Sequence, residues 1–172
     1  MGIVERQVQL AARELILPRY DDLPRLGLYL EQVTRYVNST FDSVPDLHLS
    51  STTVSSYVKR GLVEHPQNRR YGRDQLARLI FIAACRRALG ADDLRFLLQV
   101  QERTHDFKTA YDYFCAKLEE NYNYAFGLRP DLPEIGTEDS EEKRVLDNLL
   151  RMVACQLYLR SYLDQARENH NS

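Results

Sequence analysis

Residues 49–98 contain several short stretches with the apolar spacing of a helix, and each stretch ends at a glycine or a polar loop. The order of these stretches limits the folds that the chain can adopt. A hydroxyl-rich helix start leads to Tyr57, and Gly61 predicts the end of that helix because glycine is favoured just after a helix. A polar loop ending in Arg69-Arg70-Tyr71 follows, and two further helical patterns meet at Leu89-Gly90. The order is therefore one of short helices separated by a glycine stop and a turn.

Positive charge is concentrated in the same part of the chain. Residues 50–90 hold eight basic and two acidic residues, a net charge of +6, whereas the whole chain has a net charge of -2. A nearly neutral protein with one concentrated basic segment indicates a nucleic-acid surface more strongly than a mild overall excess does.

The remaining residues also predict helices, and the chain has only 7 Gly and 6 Pro. We expect a short helix over residues 4–15 and a second that is capped by Asp21 or Asp22, has Pro24 in its first turn and ends near Asn38. A loop over 41–49 precedes the central segment. Aromatic spacing predicts a helix over 107–122, and a long apolar helix is expected over 140–168.

These patterns predict a mostly α fold: a winged helix-turn-helix head with a short two-stranded wing, followed by a C-terminal helical part. Leu62-Val63 and Arg70-Tyr71 would pair as the wing strands. The head is expected over residues 17–104 and a helical dimerisation or effector region over 105–168, with 1–16 and 169–172 as peripheral tails. The long helix has apolar residues that span too wide an arc for one neighbouring helix: Leu146, Leu149, Leu150, Val153, Leu157 and Leu163. This predicts packing against a second subunit, although folding back onto the head would also cover them.

A DNA-binding helix-turn-helix needs a short recognition helix with small side chains on its outer face and basic residues near the phosphates. Thr52, Thr53, Ser55 and Ser56 supply hydroxyls near a helix N-terminus, whose amides attract phosphate. Two basic residues, Lys59 and Arg60, follow about one turn later. Arg69, Arg70 and Arg73 would lie beside the wing.

The segment resembles the MerR-type winged-helix transcriptional regulators, in particular a poorly characterised MerR-like branch of Gram-positive bacteria. The matching pattern is Thr53-Val54-x-x-Tyr57-x-x-x-Gly61-Leu62, Arg69-x-Tyr71, Asp74-x-Leu76-x-x-Leu79-x-x-Ile82, Leu89-Gly90 and Leu94-x-x-x-Leu98. The resemblance implies phosphate contacts for Tyr57 and Arg69.

The candidate DNA-binding residues are therefore Thr52, Thr53, Ser55, Ser56, Tyr57, Lys59, Arg60, Arg69, Arg70, Tyr71 and Arg73. Structural alternatives stay open: Tyr57 as a core anchor, and Arg78, Arg86 and Arg87 as ion-pair partners or a solvated face. The tyrosines after residue 110 could line an effector pocket, but ordinary helix packing is the favoured explanation.

The expected function is that of a sequence-specific DNA-binding transcriptional regulator that acts as a cytoplasmic homodimer on double-stranded DNA. The alternative is a protein-protein interaction module that keeps the winged-helix shape without binding DNA. Neither phosphate-loop nor zinc-protease motifs occur, so we expect no enzyme, cofactor or metal. No apolar run reaches a membrane span and no signal peptide is visible. Cys85, Cys115 and Cys155 are expected to be reduced thiols, with a redox role left open.

Overall fold

The computed structural model describes residues 1–133 and 140–171, and it is mostly helical. In chain order the α-helices of this described part are α1 Ile3–Ala11, α2 Leu30–Thr40, α3 Ser51–Lys59, α4 Arg73–Cys85, α5 Ala91–Thr104, α6 Phe107–Ala125 and α7 Glu141–Asn171. Short 3-10 helices form at Tyr20–Asp22 and Pro45–Leu47. The chain divides into two compact units: a head unit, Leu17–Cys115, and a terminal unit, Met1–Ile16 with Ala116–Ser172.

The head unit is built around α4. Every α4 residue from Leu76 to Cys85 except Arg78 is buried. A helix that is apolar on all sides must be enclosed, and α2 packs against it through a face that includes the buried Val33 and Val37. Helix α2 also contacts α3, so α2, α3 and α4 together form the base on which the exposed side of α3 is presented.

One asparagine joins the end of α2 to the start of α3. The Asn38 amide donates to the Leu49 carbonyl over 2.9 Å, and its Oδ1 accepts the Leu49 N–H over 2.7 Å. The segment between the two residues contains the 3-10 helix with the buried Leu47. The Arg86 guanidinium adds a hydrogen bond of 3.0 Å to the His48 carbonyl. The predicted loop over 41–49 is thus fixed at both ends, which sets the position of α3.

The predicted start of α2 is wrong. Asp21 and Asp22 belong to the short 3-10 helix, and α2 begins only at Leu30. Leu28 is extended instead: it exchanges two backbone hydrogen bonds of 3.0 and 2.8 Å with Tyr71. This pairing removes the preceding residues from the helix, and Leu26, which lies within the predicted helix, is 80% exposed.

The predicted winged-helix fold class is also wrong, because no β-strand forms within residues 1–133 and 140–171. Leu62 and Val63 are buried in the core rather than paired with Arg70-Tyr71. The Tyr71 backbone already has its partner in Leu28, and Pro66 has no N–H to offer a ladder. In place of a wing, residues 67–70 form a single tight turn.

The terminal unit is assembled from both ends of the sequence. Helix α1 packs against α7, and Val8 and Leu15 are buried. The Leu15 N–H donates to Asn123 Oδ1 over 3.2 Å, and the rings of Tyr122 and Phe126 stack with centroids 4.3 Å apart. Residues 1–16 therefore contribute to a core that they share with the C-terminal helices.

One face of the long helix α7 is buried within this unit. Leu149, Leu150, Val153 and Leu157 lie on it, so four of the six predicted positions are covered without a second subunit, whereas Leu163 is 48% exposed. The inner side also holds Lys117, whose buried ammonium lies 3.5 Å from the Asp147 carboxylate.

Replacing Asn38 with alanine should destabilise the head unit. The change leaves the Leu49 N–H and carbonyl without these partners, which typically costs about 1–3 kcal/mol. We expect the free energy of unfolding, measured by urea denaturation, to fall by that amount. Ser39→Ala is the matched control, since the exposed Ser39 hydroxyl only bonds the Tyr36 carbonyl of its own helix. Equal urea midpoints for the two variants would show that the Asn38 bridge contributes no stability.

Candidate nucleic-acid interface

Helix α3 has defined ends. The Ser50 hydroxyl caps it by accepting the Thr53 N–H over 3.1 Å. Gly61 has a φ of 75° and ends the helix, which confirms the predicted glycine stop. The Gly61 N–H donates to the Val58 carbonyl and the Leu62 N–H to the Tyr57 carbonyl, an arrangement that satisfies two of the last helix carbonyls.

The two sides of α3 have different chemistry. Val54, Tyr57 and Val58 are buried in the head unit. Thr52, Ser56 and Lys59 are exposed and recur at four and three residues, so they share the opposite face. Ser55 and Thr53 are half-buried at its edges. The helix thus presents small hydroxyls followed by one ammonium group.

The two candidate tyrosines lie on the inner side of the head unit. Tyr57 is 9% exposed and Tyr71 is 5% exposed. Burial raises the pKa of the Tyr71 hydroxyl. Neither ring offers an open face to a ligand, and Tyr57 has the burial expected of a core anchor.

The turn at residues 67–70 carries two of the candidate arginines. Gln67 and Arg70 exchange backbone hydrogen bonds of 3.1 and 2.9 Å, and the central residues Asn68 and Arg69 both have positive φ, as in a type I′ turn. Arg69 is exposed at the apex. The Arg70 guanidinium lies 5.0 Å from the centre of the Tyr29 ring and donates to the Tyr29 hydroxyl over 3.2 Å.

Gly27 makes this arrangement of Arg70 sterically feasible. A Cβ at position 27 would lie 2.8 Å from the Arg70 Cβ, which is closer than such atoms approach. Tyr29 and Gly27 are therefore neighbours of the turn that the sequence analysis did not identify, because they are about forty residues away from it in the chain.

Arg73 is held inside the head unit. Its guanidinium donates to the Leu23 carbonyl over 3.1 Å, lies 5.2 Å from the centre of the Tyr20 ring and is 3.9 Å from the Asp21 carboxylate. The Tyr20 hydroxyl in turn donates to Asp74. Burial, with this hydrogen bond, raises the pKa of Tyr20 to about 12.

Three further arginines of the basic segment also have partners within the head unit. Arg78 pairs with Glu102 and lies 5.4 Å from the centre of the Phe107 ring. Arg87 lies 3.6 Å from the Asp46 carboxylate, and Arg86 donates to the His48 carbonyl. These contacts agree with their interpretation as ion-pair and hydrogen-bond partners. The exposed basic residues of the segment are accordingly Lys59, Arg60, Arg69, Arg70 and Arg87, and of these Arg87 faces Asp46.

An open groove of about 890 Å³ runs beside the turn. Its lining includes Tyr29 and Arg70 together with Glu64, His65 and Asp74. Because both signs of charge face it, the groove has no preference for one class of ion. Over residues 1–133 and 140–171 no group of three His, Cys, Asp or Glu side chains could hold a metal.

Tyr111 and two of the three cysteines are packed in the interior. Tyr111 donates to the Pro18 carbonyl over 3.0 Å, and its ring lies 6.0 Å from that of Phe114. Cys85 and Cys115 are buried and Cys155 is exposed. Burial raises the pKa of the Cys85 thiol, which keeps it protonated. In the described part of the chain, no helix has both the length and the apolarity to cross a membrane.

Comparison with known families gives one match. The model of a domain of unknown function, DUF1836, matches residues 18–122, and the chain belongs to that family. No curated protein and no solved structure matches the chain.

The candidate arginines should separate into structural and surface residues. We expect Arg73→Ala to lower the free energy of unfolding by about 1–3 kcal/mol, because it leaves the Leu23 carbonyl without this donor. Arg69→Ala should change it by less than about 0.5 kcal/mol, since the side chain is exposed and the left-handed backbone is unchanged. Urea denaturation measures both. A larger loss for Arg69→Ala than for Arg73→Ala would contradict the assignment.

Proposed function

We propose that this member of the DUF1836 family binds double-stranded DNA through α3 and the turn at residues 67–70 and acts as a transcriptional regulator. The observation that carries the proposal is the exposed face of α3. There Thr52, Ser56 and Lys59 line one side of a short helix whose other side is anchored in the core.

The small side chains let the helix approach DNA closely. Thr52, Ser55 and Ser56 can donate hydrogen bonds to phosphate oxygens or base edges, and contacts to base edges are the source of sequence specificity. A rigid attachment is required for such readout, because a helix that shifts cannot hold a register. The Asn38 bridge and the buried Val54 and Val58 supply that attachment.

The exposed basic residues would add phosphate contacts at two places. Lys59 follows the hydroxyls on α3, and Arg69 lies at the apex of the turn; within the described residues no ion pair engages either side chain. Each phosphate that they neutralise releases counterions and makes binding salt-dependent. Arg70, stacked on Tyr29, has a fixed guanidinium that suits a phosphate beside the turn.

A homodimer would place two such heads on one DNA duplex. Helix α7 leaves Val145, Met152 and Leu159 exposed at intervals of seven residues, with Leu163 beside them. Seven-residue apolar spacing is the pattern of helices that pair. We propose that this apolar row of α7 is the dimer surface, so that each protomer reads one half-site. The proposed activity also implies a location in the cytoplasm.

Two substitutions test the DNA surface. Lys59→Ala and Arg69→Ala should each weaken binding to duplex DNA and lower the salt slope by about one, since each removes one phosphate contact. Fluorescence anisotropy with a labelled duplex over a series of salt concentrations measures both effects. Arg103→Ala, at an exposed position in the last turn of α5, is the control for loss of one positive charge. Parent-like binding by both variants would show that Lys59 and Arg69 are not part of a DNA surface.

The dimer is tested by mass. Light scattering at micromolar concentration should give twice the 20.1 kDa of one chain, and Leu159→Glu should reduce the mass to that of a monomer. When the two surfaces meet, a glutamate in the apolar row loses its hydration, and this loss makes pairing unfavourable. Phe96→Glu is the matched control, because Phe96 is also exposed but lies on α5. A monomeric parent protein would contradict the two-half-site arrangement.

A further inference from the structure

The C-terminal end of α3 is held by the first turns of α5. The Arg95 guanidinium donates through Nη1 to the Arg60 carbonyl over 3.1 Å. The last carbonyls of a helix lack partners within the helix, and Arg95 supplies one of them. Its other nitrogen, Nη2, donates to Asp92 Oδ1 over 3.3 Å. Asp92 is therefore oriented by the same arginine that caps α3.

The oriented Asp92 carboxylate also faces Arg60, an exposed basic residue that directly follows α3. Asp92 Oδ1 lies 3.8 Å from Arg60 Nη2, so one oxygen serves both arginines. The side chains of Arg60 and Asp92 are 50% and 78% exposed. Solvent and a DNA phosphate can both reach the pair, and an ion pair of this exposure is weak enough to exchange.

We infer that Asp92 is a positioning residue that holds Arg60 in an internal ion pair and thereby restrains the DNA affinity of the head unit. The inference rests on the proposed DNA-binding function. A carboxylate and a phosphate compete for the same guanidinium donors. For Arg60 to contact a phosphate, its pair with Asp92 must open, and the released carboxylate then lies near the negatively charged backbone.

The neighbouring acid provides a matched control. Asp92 and Asp93 both lie in the first turn of α5, where the helix dipole stabilises a negative charge, and both are exposed. Asp92→Asn and Asp93→Asn therefore remove the same charge from adjacent exposed positions of the same helix turn. They differ in the contact with Arg60 and Arg95.

The experiment measures duplex DNA affinity by fluorescence anisotropy over a series of KCl concentrations. Asp92→Asn should bind about two- to fivefold more tightly than Asp93→Asn, the range expected from releasing one exposed ion pair. Its salt slope should be steeper by about one, because Arg60 gains a phosphate contact. In an Arg60→Ala background the difference between the two variants should disappear.

The outcomes distinguish failure of the proposed DNA binding from failure of the role of Asp92. Parent protein that does not bind duplex DNA at low salt overturns the proposed function. Parent protein that binds, with equal affinities for Asp92→Asn and Asp93→Asn, overturns the role of Asp92 alone. A difference that persists in the Arg60→Ala background also overturns it, since the effect would then not pass through Arg60. Asp92→Ser, which keeps a good helix-start residue, repeats the comparison if Asp92→Asn unfolds.

Discussion

Two backbone hydrogen bonds between Leu28 and Tyr71 organise the surface of the head unit. They hold the segment before α2 extended, so that Gly27 lies against the Arg70 side chain and Tyr29 beneath its guanidinium. They also fix Tyr71 directly after the turn, and α4 begins two residues later. The turn, the start of α2 and the start of α4 thus depend on one pair of residues that are distant in sequence.

The basic segment has two kinds of basic residue with different physical roles. Arg73, Arg78 and Arg86 bind carbonyls, carboxylates or aromatic rings inside the head unit, and these contacts hold their guanidinium groups in place. Lys59 and Arg69 remain at the surface. A net charge counted along the sequence adds both kinds together, whereas a phosphate responds only to the second. The proposed interface is accordingly smaller and more localised than the charge of +6 indicates.

Local signals predicted local structure well. The stop at Gly61, the apolar enclosure of α4 and the long α7 follow from glycine conformation and helical spacing, which involve neighbouring residues only. The wing and the start of α2 failed for one reason: Tyr71 pairs with Leu28, and no local pattern identifies that partner. Of the candidate site, the exposed face of α3 was predictable from spacing, but the burial of Tyr71 and Arg73 depends on tertiary contacts.

The packing of α1 on α7 sets an order for folding during synthesis. Helix α1 leaves the ribosome before the head unit, yet α7, against which it packs, is made only after the head unit. At about 5–20 residues per second, the intervening chain takes several seconds to appear. Throughout that interval the apolar side of α1 is without this neighbour, whereas the head unit is complete in sequence before α7 is made. The terminal unit therefore becomes protected from proteases and chaperones only after the head unit.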